Sequence, residues 1–246
     1  MKIVVSIIIP FYKNIKLLKK TINSVFNQTF KKYEIIVIHD NPKEVKSNFL
    51  EIFKSKKNLR IIYNKKNLGA GLSRNKGIKI SKGKYIAFID SDDKWNSNKL
   101  QKQINFMEKY GYLATHTSYD RVNLNGKLIS TRVAKNLDYH GLLNSCDIGL
   151  SSVVVKKSIL LKQTVFPNIK TKEDYVLWLK IAKTGVIFHG MKPRLMKWCN
   201  NPNSLSKSNF DKLKDAFKVY YYYEKLSFIV SIYRVIVLSV NFLKKI

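Results

Sequence analysis

Three carboxylates lie close together in the sequence, at Asp90, Asp92 and Asp93, directly after the apolar residues 85–89. Neighbouring carboxylates repel one another unless a cation or a basic group offsets their charge. Mg²⁺ and Mn²⁺ prefer hard oxygen ligands at one or two protein positions, with phosphate oxygens completing the shell. The cluster therefore predicts a divalent metal site that faces a phosphate-bearing ligand. The alternative is an ordinary acidic turn, in which Asp93 caps a helix beginning near Ser97.

The first half of the chain predicts the strands that position this cluster. Apolar runs recur with helix-length amphipathic stretches between them, at residues 3–9, 34–38, 59–63 and 85–89. Such alternation predicts βαβ units, a mostly parallel sheet and an α/β fold. Ligands bind at the carboxyl ends of the strands in these sheets. Because Pro10, Asp40 and Asp90 each follow a run directly, we expect them to meet on one rim.

The second half of the chain is less regular. It predicts a strand pair over residues 119–133 turned by Asn125-Gly126, another strand over residues 150–155, and a helix from about Lys172 to Lys183 that stops at Gly185. Neither an internal repeat nor a low-complexity linker is present.

Five segments in order resemble a known family. They are residues 6–12, residues 34–38, Asn67-Leu68-Gly69 through Ser73-Arg74-Asn75-Lys76-Gly77-Ile78, Asp90-Ser91-Asp92-Asp93, and Glu173-Asp174 with Trp178. Together they are similar to the family 2 inverting glycosyltransferases, which are nucleotide-sugar dependent and have the GT-A fold. Five ordered motifs over roughly the first 200 residues are more specific than any one of them. The resemblance implies a Rossmann-like, mostly parallel central sheet flanked by helices.

The resemblance also implies roles for individual side chains. Asp92 would ligate Mg²⁺ or Mn²⁺ against the diphosphate, and Asp174 would be the general base that accepts the proton of an acceptor hydroxyl. Acids in the first turn of a helix also favour its dipole, so Glu173 and Asp174 have this second explanation. Further site candidates are Asp93, Glu173, Trp178 and Asn201. The nucleoside pocket would be formed by Pro10, Tyr12, His39, Asp40, Arg74, Asn75 and Asp90.

The chain departs from the family pattern at three places. His39-Asp40-Asn41-Pro42 stands where Asp-Gly-Ser is common, so either base recognition differs or Asp40 substitutes through a shift of one residue. Lys13 stands where Asn is usual. Trp198-Cys199-Asn200-Asn201 replaces a Tyr-Arg-x-His segment, so either Asn201 serves in its place or activity is altered. Residues 196–201 would then form only an edge strand.

The last apolar segment, residues 226–243, contains a single charge, Arg234. In a helix, Ser227, Ser231, Arg234, Asn241 and Lys245 share one face, which predicts an amphipathic helix. Such a helix either lies in a membrane interface or docks on the core of its own domain. We therefore expect a GT-A domain over residues 1–207 and a helical tail over residues 208–246, with a membrane surface as one possible partner.

Composition and charge narrow the classes of function. Lys and Arg number 46 against 16 Asp and Glu, so the formal net charge of +30 predicts an anionic partner. A basic nucleic-acid-binding protein is one alternative, although the acidic cluster lies where a phosphate backbone would approach, so no nucleic acid is expected. A catalytically inactive relative is another. A nucleotidyltransferase is disfavoured because a Gly-rich basic loop after the first strand is absent.

Two cysteines without metal-binding spacing, Cys146 and Cys199, favour a reducing compartment, and the opening apolar run is too short for a signal peptide. We expect a cytoplasmic enzyme, or one peripheral on the cytoplasmic face of the inner membrane. The expected reaction moves a sugar from a nucleotide-sugar donor, a UDP-sugar by the resemblance, to a hydroxyl of a glycan or lipid-linked glycan acceptor. Lipopolysaccharide and capsule are examples of the final product.

Overall fold

The computed structural model describes residues 2–43, 58–161, 166–201 and 209–244. One half of its sheet contains β1 (Val5–Phe11), β2 (Tyr33–His39), β3 (Leu59–Tyr63) and β4 (Tyr85–Phe88). β1 pairs in parallel with both β2 and β4, and β2 pairs in parallel with β3. β1 and β2 are buried along their whole length because helices cover both faces of the sheet. These parallel strands were predicted from the sequence and are confirmed.

The other half of the sheet contains β5 (Lys94–Trp95), β6 (Ala114–Val122), β7 (Leu128–Arg132), β8 (Val154–Lys156) and β9 (Phe188–Cys199). The strand order is β3-β2-β1-β4-β8-β6-β9-β5, with β7 attached to β6. β8 is antiparallel to β4 and β6, whereas β6 and β9 are parallel. The predicted strand pair is confirmed, since β6 and β7 are antiparallel and Gly126 between them has a φ of 85°.

Two predictions about this half are wrong in detail. Residues Leu150–Ser152 form a 3₁₀ turn, and only the following residues form β8. The hydroxyl of Ser152 donates to the carbonyl oxygen of Gly149 at 2.6 Å, and such local bonding competes with a strand ladder. Residues 196–199 are not an edge strand, because β9 lies between β6 and β5 and pairs with both.

Helices lie on both faces of the sheet. They are α1 (Ile15–Phe26), α2 (Ala70–Ile80), α3 (Lys99–Tyr110), α4 (Tyr139–Asn144), α5 (Lys157–Leu161), α6 (Glu173–Ala182), α7 (Asn209–Lys218) and α8 (Phe228–Leu243), with a π-helical turn at Val219–Tyr223. Alternate residues of β1 point to opposite faces. Ile7 and Ile9 join one core with α1 and α3, and Ile8 joins another with α6 and α8. The α/β fold class and the C-terminal helix are as predicted.

The tail packs on the rest of the chain through both polar and apolar contacts. Arg234 donates to the Oδ1 atom of Asn144 at 2.7 Å, and Asn241 donates to the carbonyl oxygen of Asn144 at 2.9 Å. Ser231 is fully buried, and Leu238 belongs to the same core as Trp178. The proposed boundary at residue 207 therefore separates two parts that share a core. In the described part of the chain, no helix combines the length and hydropathy needed to cross a membrane.

Gly77 allows α2 to approach β1 closely. A Cβ atom at this position would lie 2.6 Å from Cγ2 of Ile8, which is fully buried. Side chains in a packed core cannot withdraw without disturbing their neighbours. The glycine of the Ser-Arg-Asn-x-Gly motif therefore sets the distance between the site-bearing helix and the sheet.

We expect Gly77→Ala to destabilise the protein by about 1–3 kcal/mol, because the added methyl group overpacks the contact with Ile8. Urea unfolding measures the change. Lys79→Ala, at an exposed position of the same helix, is the control and should change stability by less than about 0.5 kcal/mol. Equal unfolding midpoints for the two variants would contradict this account of the contact.

Candidate active site

The carboxyl ends of β1, β2 and β4 meet at one rim, as predicted. Phe11 pairs with His39 in register, and the backbone N–H of Asp40 donates to the carbonyl oxygen of Phe11 at 2.7 Å. Pro10 is buried within β1, whereas Tyr12 is 47% exposed just beyond its end. Tyr12 is thus available for contact with a ligand at the rim.

Asp40 shapes the loop that leads into α2. Its Oδ1 atom accepts from the side-chain nitrogen of Asn64 at 2.7 Å and from the backbone N–H of Leu68 at 2.8 Å. Its Oδ2 atom accepts from the backbone N–H of Gly69 at 2.8 Å. Asp40 is 3% exposed, and these bonds organise the Asn-x-Gly segment. Direct contact between Asp40 and a nucleoside stays a prediction.

His39 is buried beside two aromatic rings. Its ring centroid lies 5.2 Å from that of Phe11 and 5.1 Å from that of Tyr63. The backbone N–H of Asn41 lies 3.4 Å from Nδ1 of His39. The imidazole therefore packs under the rim, where the family has a carboxylate, and its role in base recognition stays a prediction.

Arg74 joins two acidic side chains from different elements. Its guanidinium donates to Oδ1 of Asp90 and to Oε1 of Glu173, each at 2.7 Å, and its side chain is only 4% exposed. Phe166 covers one face of the guanidinium, with the ring centroid 5.3 Å away. Burial disfavours the charged guanidinium, but the two carboxylates outweigh this effect and raise its pKa. Arg74 thus ties the sheet rim to the start of α6.

Asn75 positions the segment that leads into α6. Its side-chain nitrogen donates to the carbonyl oxygen of Phe166 at 2.9 Å, and its Oδ1 atom accepts from the backbone N–H of Phe166 at 2.7 Å. Gly71 lets the segment lie close, since a Cβ there would be 3.1 Å from the carbonyl oxygen of Pro167. The side chain of Asn75 is thereby engaged with protein backbone.

Ser151 holds the acidic turn after β4 in place through hydrogen bonds. The Ser151 hydroxyl donates to Oδ2 of Asp93 at 2.5 Å and accepts from the backbone N–H of Asp90 at 3.0 Å. The other oxygen of Asp93 accepts from the backbone N–H of Cys199 at 2.9 Å. Asp93 therefore connects three parts of the site. It does not cap α3, whose N-cap residue is Asn98, so that alternative is wrong.

Asp92 is the carboxylate of the turn that faces a cavity. Its Oδ2 atom accepts from the side-chain nitrogen of Asn201 at 3.3 Å, so the structure brings together two predicted site residues. Burial, followed by the charge of Asp90, raises the pKa of Asp92 to about 6. The cavity has a volume of about 90 Å³, and Lys20, Lys94 and Lys197 are among its lining residues.

The acidic turn fits a metal that is shared with a ligand. Among the described residues, no group of three or more His, Cys, Asp or Glu side chains could hold a metal ion by itself. Both oxygens of Asp93 are bonded within the protein, and one oxygen of Asp90 is bonded to Arg74. Asp92 carries an incompletely balanced charge, and Mg²⁺ commonly uses one or two carboxylates with phosphate oxygens.

Asp174 is the second residue of α6 and follows Glu173, which binds Arg74. Both Glu173 and Asp174 lie in the first turn, so the favourable placement of acids near the helix dipole also applies. Burial and the charge of Glu173 raise the pKa of Asp174 to about 7, although Arg74 and Lys172 act in the opposite direction. A carboxylate with this pKa suits proton abstraction near neutral pH.

Trp178 lies one helical turn below Asp174 and is only 1% exposed. Its ring packs against those of Phe88, Phe166 and Phe188. Trp178 therefore seats α6 on the sheet, and its contact with a ligand stays a prediction.

Ser151 and Phe166 are the positioning residues that sequence reasoning missed. Ser151 forms hydrogen bonds with Asp93 and Asp90, which lie 58 and 61 positions earlier in the sequence. Phe166 covers Arg74, which is also distant in the sequence. Both residues occur in segments without a local motif. Only the packing of distant segments reveals them.

The family model named "Glycosyl transferase family 2" matches residues 6–169, which include the rim and the acidic turn described above. The chain belongs to this family. The match confirms the expectation drawn from the five ordered motifs.

Individual relatives agree with the family match. The chain is 34% identical over 222 residues to an Escherichia coli UDP-Glc:alpha-D-GlcNAc-diphosphoundecaprenol beta-1,3-glucosyltransferase, WfgD, covering 87% of this chain and 84% of that protein. It is 29% identical to the putative teichuronic acid biosynthesis glycosyltransferase TuaG of Bacillus subtilis, covering 99% and 98% of the two chains. Rickettsia relatives are longer, and the chain spans 27% to 31% of their length.

The fold has a counterpart among solved structures. Residues 1–349 of S. aureus TarS, solved in complex with UDP-GlcNAc, superpose with a TM-score of 0.75 at 19% identity. The superposition covers 96% of this chain and 70% of the TarS chain. At this identity the likeness concerns the fold, and it confirms the predicted glycosyltransferase architecture.

We expect Arg74→Met to destabilise the protein by about 3–5 kcal/mol, because it leaves Glu173, whose side chain is 13% exposed, and half-buried Asp90 without their shared cation. Urea unfolding at pH 7 measures the loss. Lys84→Met is the matched control, since Lys84 pairs with Glu108 at the same 2.7 Å but about half of each side chain is exposed. It should change stability by less than about 1 kcal/mol. Similar losses in both variants would show that burial of the Arg74 pair is unimportant.

Proposed function

We propose that this chain is an inverting glycosyltransferase that moves a sugar from a UDP-sugar to a hydroxyl of a lipid-linked glycan. One observation carries the proposal. Asp92, suited to a metal, and Asp174, suited to a base, stand at one rim because Asp90, Arg74 and Glu173 connect their two elements. Nucleophile activation and leaving-group stabilisation need a base and a cation-binding group near one substrate, and the connection between the two elements supports this assignment.

The donor lies at the rim in this proposal, with its base near Tyr12 and the end of β2. Tyr12 is exposed there and has an aromatic face suited to stacking on a base. Two relatives support a uridine nucleotide. WfgD is named for UDP-Glc, and the TarS structure contains UDP-GlcNAc.

Asp92 would hold Mg²⁺ or Mn²⁺ at the diphosphate, with Asn201 orienting its carboxylate. Such a cation, when bound, offsets the negative charge that develops on a departing nucleoside diphosphate. The raised pKa of Asp92 supports this role, because a cation would relieve its repulsion with Asp90. Lys20, Lys94 and Lys197 add positive charge on the same side.

Asp174 accepts the proton from the acceptor hydroxyl in this proposal. The oxygen then forms a bond to the anomeric carbon while the bond from that carbon to the diphosphate oxygen breaks. The electron pair leaves with the nucleoside diphosphate, and the proton stays on the Asp174 carboxyl group. A single displacement from the opposite face inverts the configuration. The pKa near 7 makes Asp174 a stronger base than an exposed aspartate.

Relatives support a lipid-linked, surface-polymer acceptor. WfgD is named for a diphosphoundecaprenol-linked GlcNAc, and TuaG for teichuronic acid biosynthesis. The net charge of +30 is complementary to a diphosphate-bearing acceptor. We propose that the enzyme works at the cytoplasmic face of the membrane, and that its product enters a surface polysaccharide such as lipopolysaccharide or capsule.

The metal role predicts a specific defect in Asp92→Ala. Isothermal titration with UDP-, GDP-, TDP- and CMP-sugars should identify one UDP-sugar that binds the native protein with Mn²⁺ or Mg²⁺. Asp92→Ala should weaken that binding about 10-fold or more, because the metal contact to the diphosphate is lost. Asp211→Ala, a carboxylate on α7, should bind normally. Native affinity in Asp92→Ala would overturn the metal role, and the absence of any nucleotide-sugar binding would favour an inactive relative.

The base role predicts that Asp174→Asn binds the donor normally but lowers kcat about 10²–10⁴-fold. In the native enzyme, kcat/KM should rise with pH to about 7 and then level, since the base must be ionised. Glu108→Gln removes an equal charge at an exposed site and should leave the profile unchanged. A profile that is flat from pH 5 to 8 would contradict the assignment.

The raised pKa of Asp174 also predicts how the stability of the protein depends on pH. Its folded-state pKa of about 7 lies above the ordinary value of 3.8, so ionisation destabilises the fold increasingly as pH rises between these values. Asp174→Asn should therefore have a higher Tm than the native protein at pH 8, and this difference should vanish near pH 4. Differential scanning calorimetry at both pH values checks the sign.

A further inference from the structure

The outward face of α8 is apolar although the helix is already docked. Ile229 is 80% exposed and Leu243 66%, and the residues between them on this face are also open to solvent. We call this face the tail surface, formed by Ile229, Ile232, Tyr233, Ile236, Val240 and Leu243. Their spacing of three and four residues places them on one side of the helix.

The inward face of the same helix holds its polar residues together with two apolar ones that pack in the core. Ser231 is fully buried and donates to the carbonyl oxygen of Ser227 at 2.8 Å. Arg234 and Asn241 both bind Asn144 of α4. A helix that simply covers its own domain buries apolar residues and exposes polar ones. Because the polar residues of α8 also point inward, the helix leaves a continuous apolar face for a partner.

Neighbouring groups extend this surface and give it a charge. The ring of Phe228 lies 5.5 Å from that of Phe217 and 6.3 Å from that of Tyr221, and Tyr221 and its neighbour Tyr222 are exposed. Exposed Lys225 and Lys244 stand just before and just after α8. Arg132 lies over the ring of Phe242, 5.8 Å from its centroid. Apolar residues bordered by tyrosines and cations match the interface of a membrane with anionic lipids.

We infer that the tail surface is a docking surface for an anionic lipid bilayer, with α8 lying flat in the interface. A second copy of the chain is the other occupant that an apolar face admits. It is disfavoured because each copy carries a net charge of +30, so association would bring like charges together. An anionic bilayer attracts that same charge.

Docking through α8 would also fix the orientation of the active site relative to the bilayer. Tyr175, which follows Asp174, donates through its hydroxyl to the carbonyl oxygen of Leu142 in α4 at 2.6 Å. Tyr220, preceding α8, donates to the carbonyl oxygen of Leu143 at 2.9 Å. α4 therefore joins the tail surface to the start of α6. A bilayer bound at α8 holds the base at a fixed orientation to lipid-linked molecules.

Flotation with vesicles tests the inference without donor or acceptor, so its outcome is separate from that of the proposed reaction. The native chain should float with vesicles of phosphatidylcholine and phosphatidylglycerol, and less with phosphatidylcholine alone. The double variant Ile232→Asp and Ile236→Asp should lower the bound fraction about 10-fold or more, because two charges enter the apolar face. Tyr110→Asp is the control, since exposed Tyr110 ends α3 on the opposite face of the sheet.

Two further measurements keep the test decisive. Ile229→Ser, at the most exposed position of the face, should weaken flotation even if the double variant folds poorly, and circular dichroism monitors folding of each. Light scattering reports the oligomeric state. A stable dimer that the double variant separates, without flotation of the native chain, would overturn the inference in favour of self-association. Equal flotation of native and variant proteins would overturn it as well.

Discussion

The arrangement of the site depends on one buried ion-pair cluster. Arg74 lies between Asp90 at the end of β4 and Glu173 at the start of α6, two carboxylates that would repel each other without it. Because the guanidinium is almost fully buried, the cluster requires all three partners. Its position brings Asp92 and Asp174 to the same rim, although they lie on separate elements. The cluster therefore joins the acidic turn after β4 to the start of α6.

Hydrogen bonding divides the acidic residues of the rim into two groups. Asp40 and Asp93 have both carboxylate oxygens bonded within the protein, and they hold loops in place. Asp92 and Asp174 each accept fewer hydrogen bonds from the described residues, although burial raises the pKa of Asp93 as well as theirs. A buried carboxylate with unsatisfied charge is stabilised by binding a cation or a proton. Their incomplete hydrogen bonding supports the metal-binding and proton-accepting roles that we propose for them.

The C-terminal helix shows that hydrophobic periodicity does not determine which face of a helix points toward the core. The sequence correctly predicts an amphipathic helix with Ser231 and Arg234 on one face, but a period of 3.6 residues is the same whichever face points inward. Because Asn144 binds Arg234 and Asn241, the face that carries these two residues points inward. The helix is thus docked on its own domain and still presents an apolar face, so both roles considered from the sequence remain compatible.

The amino-acid sequence by itself determined the parallel strands around β1, the convergence of Pro10, Asp40 and Asp90, the α6 helix, and membership of the glycosyltransferase family. These features depend on local hydrophobic pattern and on motifs of adjacent residues, which a sequence displays directly. Only the tertiary structure decided that Ser151 anchors the acidic turn, that β9 is an interior strand, and that Arg74 binds Glu173 across 99 positions. Those contacts join segments far apart in the chain, and no local pattern specifies which distant partner packing brings within hydrogen-bond distance.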